Sequence, residues 1–338
     1  MTPDEVILLS HGAGGKLTAR LIDSVFLPRY GNEILRRLGD GAVLPPLAGD
    51  PVLTTDAYVV SPRFFPGGDI GSLAVHGTVN DLLMCGAEPR WLSLAFVLEE
   101  GFPCEELARI CDSIGRAAAG AGVLVVTGDT KVVEHGREDG LYVNTAGIGV
   151  IEHDLTIEPQ SARPGDAIVL SGDIARHGIA VMSVREGLEF ESAIESDCAP
   201  LADLVGGLLA EGLEVHCLRD LTRGGLAAGV IEIAQTAGLQ VHLRERDIPV
   251  RDDVLGACEI LGFDPLYVAN EGRCVAFVPA EQADRAVAAM RSHPAGAAAT
   301  VIGHVTAGAD PGLVTLETVT GASRVVDLLS GEQLPRIC

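Results

Sequence analysis

The chain has 338 residues, of which 47% are hydrophobic and only 4% aromatic, so it is long enough to form two domains, each with its own core. Its 24 Lys and Arg against 47 Asp and Glu give a formal net charge of -23, which repels a nucleic acid backbone and an anionic membrane. The eight cysteines include no CxxC pair, and no apolar run is long enough to span a bilayer. We therefore expect a cytoplasmic protein with reduced thiols, and neither nucleic acid nor membrane as a partner.

The first half of the chain predicts an α/β domain that opens with a glycine-rich turn. Residues 6–16 are an apolar segment that runs into this turn and ends at Lys16, where backbone N–H groups and one ammonium could bind an anion. Taken alone, such a short pattern more often belongs to a plain flexible turn. The elements predicted after it are short strands at 42–44 and 52–55, a helix beginning at Ile70, a strand at 91–98, a helix at 104–120, and strands at 123–127 and 140–151.

Four aspartates of this half are predicted at strand ends or on a buried helix: Asp40, Asp56, Asp81 and Asp129. Asp81 and its neighbour Asn80 interrupt an apolar helix, where an unpaired carboxylate would be costly. The strand at 123–127 is predicted to turn at Gly128 and to present Asp129 and Lys131, as α/β proteins do at ligand sites. Solvated caps are the ordinary alternative, but carboxylates in such places also suit Mg²⁺ shared with substrate phosphates.

A polar, proline-containing connector at 152–166 predicts a domain boundary, with the first domain at 1–153 and the second at 154–326. The second domain is also predicted to be α/β, with helices at about 177–187, 200–211, 224–237, 251–261 and 281–292 and strands near 167–171, 214–218, 239–243, 273–278, 299–306 and 313–318. The paired glycines at 224–225 follow a strand and begin a helix. Glu271 lies at a glycine turn. Each of these two patterns is also typical of a capped turn.

The last twelve residues, 327–338, predict a mobile tail that ends in a cysteine. Ser, Gly and Pro335 disfavour a helix here, so the tail should be extended and could span about 40 Å at roughly 3.3 Å per residue. We expect Leu334 and Ile337 to enter an apolar groove and Arg336 to meet a carboxylate when the tail is inserted. Cys338 could then visit a distant site, although a frayed terminus without a function is the common case.

Motifs spread from residue 54 to the terminus resemble the HypE family of hydrogenase maturation factors, the carbamoyl dehydratases: TTDAYVV, FFPGGDIGSLAVHGTVNDL, TGDTKVV, SDCAPL, RDLTRGGLA, DPLYVANEG and SGEQLPRIC. That family is similar to the aminoimidazole ribonucleotide synthetase and selenophosphate synthetase superfamily. The resemblance implies a dimer of two-domain α/β chains, with mixed sheets flanked by helices. It also implies that ATP and Mg²⁺ bind in a cleft near the subunit interface, and that residues 1–153 carry ATP binding and dimerisation.

The resemblance also implies roles for individual residues. Metal would be held by Asp40, Asp56, Asp81 and Asp129, and nucleotide by the last three, by Asn80, and by the phosphate loop of Gly12, Gly14, Gly15 and Lys16. Catalysis would fall to Lys131 and Glu271, with Cys338 as the modified cysteine. Gly39 stands before Asp40 where related sequences often have a second Asp, so the number of metal ions stays open.

The implied reaction is ATP-dependent dehydration of an S-carbamoyl group on Cys338 to a thiocyanate, which supplies cyanide ligands for the iron of [NiFe] hydrogenase. The implied partners are a HypF-like carbamoyltransferase that loads Cys338 and a HypC–HypD-like scaffold complex that receives the nitrile. Two alternatives stay open. One is a small-molecule ATP-dependent synthetase of the same superfamily, and the other is a non-catalytic nucleotide-binding scaffold that presents its tail.

Overall fold

Two β-sheets, one in each half of the chain, organise the protein. The structure, a computed structural model, describes residues 5–136, 139–188, 193–329, 334 and 337–338. A four-stranded sheet is built from strands between residues 50 and 151, and a seven-stranded sheet from strands between 166 and 326. Both sheets mix parallel and antiparallel pairs and carry helices, which confirms the predicted two-domain α/β class.

The first half contains short helical segments before its sheet and two long helices against it. The strands are β1 (Asp50–Tyr58), β2 (Phe64–Phe65), β3 (Gly68–Asp69), β4 (Glu88–Glu99), β5 (Leu124–Val133) and β6 (Leu141–Ile151). The helices are α1 (Lys16–Leu21), α2 (Leu27–Tyr30), α3 (Ile70–Met84) and α4 (Cys104–Gly120), and a π-helical turn, Ile22–Phe26, joins the first two. The sheet order is β1-β6-β4-β5, so β1 and β5 are its opposite edges.

Helix α3 lies at the junction of the two halves and positions part of the site. Asp69 caps it, since its carboxylate accepts from the N–H groups of Gly71 (2.8 Å) and Ser72 (3.0 Å). Gly77 lets β1 come close, because a Cβ there would lie 2.3 Å from the Tyr58 hydroxyl. The helix packs on β1 and β6 and also on the second half, which explains why almost all of its residues are buried.

Two first-half predictions were wrong in detail. Strand β5 continues to Val133 and does not turn at Gly128, because it pairs in parallel with β4 along its whole length. Gly128 is needed there for a close approach, since a Cβ would lie 2.4 Å from the Leu94 carbonyl oxygen. Residues 42–44, all described, are not a strand; Val43 is 79% exposed and has no neighbouring strand to pair with in the described chain.

The second half alternates helices and strands as predicted, with one strand that the sequence pattern missed. The helices are α5 (Arg176–Arg185), α6 (Ala202–Ala210), α7 (Gly225–Ala237), α8 (Asp252–Leu261) and α9 (Ala283–Arg291). The strands are β7 (Asp166–Leu170), β8 (Cys217–Asp220), β9 (Gln240–Arg244), β10 (Cys274–Pro279), β11 (Thr300–Thr306), β12 (Val314–Glu317) and β13 (Ser323–Val326). Their order is β13-β12-β9-β11-β7-β10-β8, and β13 is the unpredicted edge strand.

The end of the chain packs into the core that joins the two halves. Leu334 and Ile337 are 8% and 4% exposed, and Cys338 packs against the same apolar cluster. This agrees with the apolar seat expected for the inserted tail, whereas Pro335 and Arg336 lie outside the described residues. None of the helices in the described part combines the length and the apolar character that a membrane crossing requires.

Candidate functional site

Cys338 lies in a small cavity between the two halves of the chain, which we call the thiol cavity. Its volume is about 40 Å³. The residues that line it are Asp56, Ala57, Tyr58, Gly77, Asp81, Asp220, Thr222, Arg223, Glu271 and Cys338. A chain terminus thus meets acidic side chains from both sheets.

The first half contributes Asp56 from β1 and Asp81 from α3. Alternate residues of β1 face the helix, so Thr54, Asp56 and Tyr58 are on one side of the strand. Thr54 donates a hydrogen bond from Oγ1 to Asp81 Oδ2 (2.8 Å), and the Tyr58 hydroxyl donates to Asp56 Oδ2 (3.1 Å). Both carboxylates therefore keep a fixed orientation towards the cavity.

The second half contributes Glu271, which the loop before β10 holds rigidly. Asp197 Oδ2 accepts from the backbone N–H groups of Glu271 (3.2 Å) and Gly272 (3.1 Å). Gly272 is required because a Cβ there would lie 2.0 Å from the Asp197 carbonyl oxygen. The Glu271 side chain is 2% exposed, and its Oε1 has no hydrogen-bond partner among the described residues. A buried acceptor of this kind is available for a ligand donor.

Four carboxyl groups line the thiol cavity, those of Asp56, Asp81, Asp220 and Glu271. Burial raises the pKa of Asp81 to about 7, with further contributions from Asp220 and Asp56, and burial raises the pKa of Asp220 to about 6. Burial, followed by the Asp220 carboxylate, raises the pKa of Glu271 well above its usual range. Burial, then Glu271, also raises the pKa of the Cys338 thiol. The site therefore favours a neutral sulfur and basic carboxylates.

Asp220 and Arg223 belong to the site although the sequence pattern did not assign them to it. Arg223 is the only cation lining the described cavity, and its guanidinium lies 3.9 Å from Asp56 Oδ1. The RDLTRGGLA motif predicts a strand that enters a helix through paired glycines, and it is one of the motifs that carry the family resemblance, but neither observation assigns a role to Asp220 or Arg223. The order of the seven strands, which the sequence pattern does not fix, is what places this segment beside β10 and Glu271.

A second and larger cavity of about 600 Å³ lies at the other edge of the first sheet, and we call it the first-half cavity. Gly12, Gly14, Asp129 and Lys131 line it, together with the apolar side chains of Phe26, Tyr30, Leu94 and Phe96. Its size is in the usual range for small-molecule sites. Gly12 lets the glycine-rich turn touch β5, because a Cβ there would lie 2.6 Å from the Val132 backbone nitrogen. Gly14 has φ +79°, which favours glycine.

The structure thus divides the predicted site residues into two groups. Asp56, Asp81, Glu271 and Cys338 meet in the thiol cavity, whereas Gly12, Gly14, Asp129 and Lys131 line the first-half cavity. Asp40, Gly15 and Lys16 line neither of these two described cavities, although Gly39 and Gly41 beside Asp40 line the second. Because β1 and β5 are opposite edges, three strand spacings separate the groups, about 14 Å.

Asn80 joins the two halves. Its side chain is 2% exposed, its Oδ1 accepts from the Leu201 N–H (2.9 Å), and its Nδ2 donates to the Ala199 carbonyl oxygen (3.1 Å). These contacts engage the amide with the segment that precedes α6. The polar residue that looked out of place in an apolar helix therefore has protein partners on the other side of the domain junction.

The carboxylates fit a metal ion only in part. Within the residues that the structure describes, no three Asp, Glu, His or Cys side chains are arranged to hold a metal by themselves. Asp56 and Asp81 do face one cavity, and Mg²⁺ commonly takes one or two carboxylates while substrate phosphates and water complete its shell. The donor set therefore fits a Mg²⁺ ion that shares its ligands with a phosphate, not a cage made by the protein alone.

Comparison with known proteins assigns the chain to a family. The family models for the N-terminal and C-terminal domains of AIR synthase related proteins match residues 38–151 and 163–315. The carbamoyl dehydratase HypE of Azotobacter vinelandii is 54% identical over 330 residues, which are 97% of this chain and 96% of the relative.

Solved structures agree with this assignment. A crystal structure of hydrogenase maturation protein HypE in complex with ATP superposes with a TM-score of 0.95 at 47% identity, covering 98% of this chain and 99% of the other. HypE in a crystal structure of a HypE–HypF complex superposes with a TM-score of 0.80 at 46% identity, covering 91% and 99%. This chain therefore belongs to the AIR synthase related proteins and, among them, to the HypE family of carbamoyl dehydratases, which are hydrogenase maturation proteins.

Proposed function

We propose that the protein dehydrates an S-carbamoyl group on its own Cys338 to a thiocyanate at the expense of ATP. The observation that carries this proposal is the meeting of Cys338 in one cavity with the buried Oε1 of Glu271, which has no hydrogen-bond partner in the described part of the chain. A carbamoyl group has three heavy atoms, and about 40 Å³ holds roughly three water-sized groups. Its NH₂ would supply the donor that Glu271 lacks.

The chemistry requires a good leaving group on the carbamoyl oxygen. The amide oxygen forms a bond to the γ-phosphorus of ATP as ADP leaves, and the nitrogen releases one proton to the solvent. Glu271 then takes the second N–H proton while the C–O bond breaks, inorganic phosphate leaves and the C≡N bond forms. The raised pKa of Glu271 makes its ionised carboxylate a stronger base for this step. The net change is the loss of one water from the carbamoyl group.

Nucleotide binding is proposed for the first-half cavity, whose glycine-rich turn and Lys131 suit phosphate groups. The solved relative in complex with ATP supports nucleotide binding by proteins of this family. Mg²⁺ would offset the charge of the transferring phosphoryl group and be held by Asp56 and Asp81. Asp129, at the opposite edge of the sheet, and Asp40, next to the first-half cavity, stay candidate ligands.

A homodimer would reconcile the two separated cavities. The face of the first sheet that α3 does not cover carries Leu53, which is 72% exposed, and the half-buried Val97 and Ile148. We propose that two copies meet through this face, so that Lys131 of one copy approaches the thiol cavity of the other. The apolar residues of helix α3 are buried within its own chain and are not available for this contact.

We propose one partner that supplies the carbamoyl group to Cys338 and another that accepts the nitrile formed from it. A HypF-like carbamoyltransferase would load Cys338, as the solved HypE–HypF complex supports. A HypC–HypD-like scaffold would accept the nitrile as a cyanide ligand for the iron of [NiFe] hydrogenase. Both steps require the tail to leave the thiol cavity.

The proposal is tested by the intact mass of the protein after incubation with the loading partner, carbamoyl phosphate and ATP. We expect a gain of one carbamoyl group, followed by the loss of one water, with both changes on the C-terminal peptide. ATP hydrolysis without any adduct would favour a small-molecule synthetase. ATP binding without turnover or adduct would favour the scaffold alternative.

A further inference from the structure

A buried histidine of the second half holds the peptide group next to Cys338. His177 is fully buried near the start of α5, and its Nε2 lies 2.8 Å from the carbonyl oxygen of Ile337. Its Nδ1 lies 2.9 Å from Ser196 Oγ, and Ser196 Oγ also accepts from the Cys198 N–H at 3.0 Å. Three hydrogen bonds thus run in series and end on the tail.

The direction of this series is fixed by its ends. A carbonyl oxygen only accepts, so His177 Nε2 must carry the hydrogen, and a neutral imidazole then accepts at Nδ1. Ser196 receives the Cys198 N–H and can donate its own hydroxyl hydrogen to His177. Every member is satisfied when the imidazole is neutral, which agrees with the burial that lowers the pKa of His177.

The surroundings of His177 form a seat for the tail at the domain junction. Phe65 from the first half meets the imidazole edge-on, with ring centroids 5.3 Å apart, and the Ser196 N–H donates to the Pro66 carbonyl oxygen (2.8 Å). Gly178 makes room for Leu334, because a Cβ there would lie 3.0 Å from Leu334 Cδ1.

The seat and the proposed base share one framework. Asn270, the residue before Glu271, accepts at Oδ1 from the N–H of Ala175 (2.7 Å), two residues before His177. Ser196 is next to Asp197, which holds the backbone of Glu271. The position of the last tail peptide is therefore tied to the position of the Glu271 carboxylate.

We propose that His177 is a positioning residue for the carbamoyl dehydratase reaction, and that it places the carrier thiol by holding the Ile337 carbonyl. This inference rests on the proposed function of Cys338. Only one peptide unit separates the held carbonyl from the thiol, so this single contact fixes the reach of the carried group into the thiol cavity. The contact is to the main chain. It therefore depends on the number of residues that follow Leu334 and not on which side chain stands at position 337.

The first test measures where the tail resides, without any carbamoyl chemistry. Alkylation of Cys338 by N-ethylmaleimide is followed on the C-terminal peptide of the full-length, unloaded protein. His177→Ala should raise the rate about fivefold or more, the change expected when one buried hydrogen bond is lost. His177→Gln keeps a donor and should restore part of the protection. His242→Ala, which removes two hydrogen bonds of a different second-half histidine, is the matched control.

The second test separates loading from dehydration. With the loading partner, carbamoyl phosphate and ATP, His177→Ala should gain the carbamoyl group at least as fast as wild type but lose water about tenfold more slowly, with partial recovery in His177→Gln. If His177→Ala does not fold, Ser196→Ala, which removes the donor to Nδ1 and the acceptor of the Cys198 N–H, is measured in the same way.

The outcomes distinguish this inference from the function on which it rests. An unchanged alkylation rate in a folded His177→Ala protein overturns the positioning role. Faster alkylation with unimpaired dehydration overturns it too, because the seat would then serve only the resting tail. Wild-type protein that never gains an adduct on Cys338 would overturn the proposed function, while the alkylation result would still show whether His177 holds the tail.

Discussion

The carboxylate of Glu271 and the thiol of Cys338 line one cavity, although the first lies in a loop before β10 and the second ends the chain. Glu271 Oε1 has no hydrogen-bond partner in the described part of the chain, and burial makes such an acceptor costly. An NH₂ group carried on Cys338 would satisfy it. The unpaired oxygen is therefore expected in a site whose N–H donor is part of the carried group.

Glu271→Gln should separate loading from dehydration. The amide keeps the shape of the side chain but is a poor proton acceptor, so the carbamoyl adduct should form on Cys338 and then persist. We expect the rate of water loss to fall by about 10² to 10⁴. Intact mass over time gives both rates, and Glu232→Gln on the exposed side of α7 is the control. Dehydration at the wild-type rate in Glu271→Gln would exclude this carboxylate as the base.

Asp81→Asn should weaken the use of Mg²⁺ and ATP while leaving the fold intact. The change removes one of the negative charges that face the thiol cavity, and the free energy of unfolding of the unliganded protein should stay the same or rise. Calorimetry should show clearly weaker binding of ATP in the presence of Mg²⁺, and turnover should be lost. Asp50→Asn, at the exposed start of the strand that carries Asp56, is the control. Unchanged affinity and turnover in Asp81→Asn would contradict the assignment.

The sequence pattern predicted local elements better than it predicted which residues meet. Strand and helix positions followed from hydrophobic periodicity. The apolar spacing of α3 predicts one buried face, whereas its burial on nearly all sides comes from its packing on both halves of the chain. The division of Asp56 and Lys131 between opposite sheet edges depends on the strand order β1-β6-β4-β5, which comes from long-range pairing. Asn80 illustrates the same limit, since its partners at 199 and 201 belong to the other half of the chain.

His76 should make the protein less stable as the pH falls from 6.5 towards 4. Burial lowers its pKa to about 4, so between these values the unfolded chain binds more protons than the folded one, and the free energy of unfolding decreases. Cys198 Sγ faces the imidazole at 3.6 Å, with Asp69, Asp197 and Glu271 near that thiol. Above about pH 6.5 the imidazole is neutral in both the folded and the unfolded chain, and the free energy of unfolding keeps its full value. Between pH 7.5 and pH 5 the free energy of unfolding should fall by about 2 kcal/mol because of His76.

Urea unfolding of wild type and His76→Gln at the two pH values measures this contribution. The variant should lose less stability on acidification, while acidic groups that titrate in both proteins cancel in the comparison. His135→Gln, whose side chain is 85% exposed, should behave as wild type. Equal losses in wild type and His76→Gln would show that the imidazole does not titrate as its burial implies.

Mixing two inactive variants should restore activity if Lys131 acts across a dimer. The Lys131→Ala copy keeps Glu271, and the Glu271→Gln copy keeps Lys131. In a mixed dimer the intact Lys131 of the second copy meets the intact Glu271 of the first, so one complete site remains. Random exchange of equal amounts should give about a quarter of the wild-type rate of dehydration, because half of the dimers are mixed and each has one intact site of two. If both groups act within one chain, or if the protein is a monomer, no mixed species has a complete site and no activity returns. Sedimentation of the mixture confirms that subunits have exchanged.

Lengthening the chain beyond Cys338 should block dehydration more than loading. The inserted tail is held by Leu334, by Ile337 and by the carbonyl contact to His177, so the thiol has a fixed depth in a cavity of only about 40 Å³. Two added glycines would need far more room than this, and they would move the carboxyl terminus into a site already crowded by Asp56, Asp81, Asp220 and Glu271.

When the tail is outside the thiol cavity, the added residues are in solvent and contact nothing that blocks them. The carbamoyl adduct should therefore form on Cys338 at close to the wild-type rate and then lose water slowly. Cys338→Ala, in contrast, should keep ATP binding and lose every adduct. Mass spectrometry of the C-terminal peptide distinguishes the two variants. An adduct found on Cys85 or Cys198 instead would rule out the tail as the carrier, whereas normal dehydration in the lengthened chain would mean that the reaction takes place outside the thiol cavity.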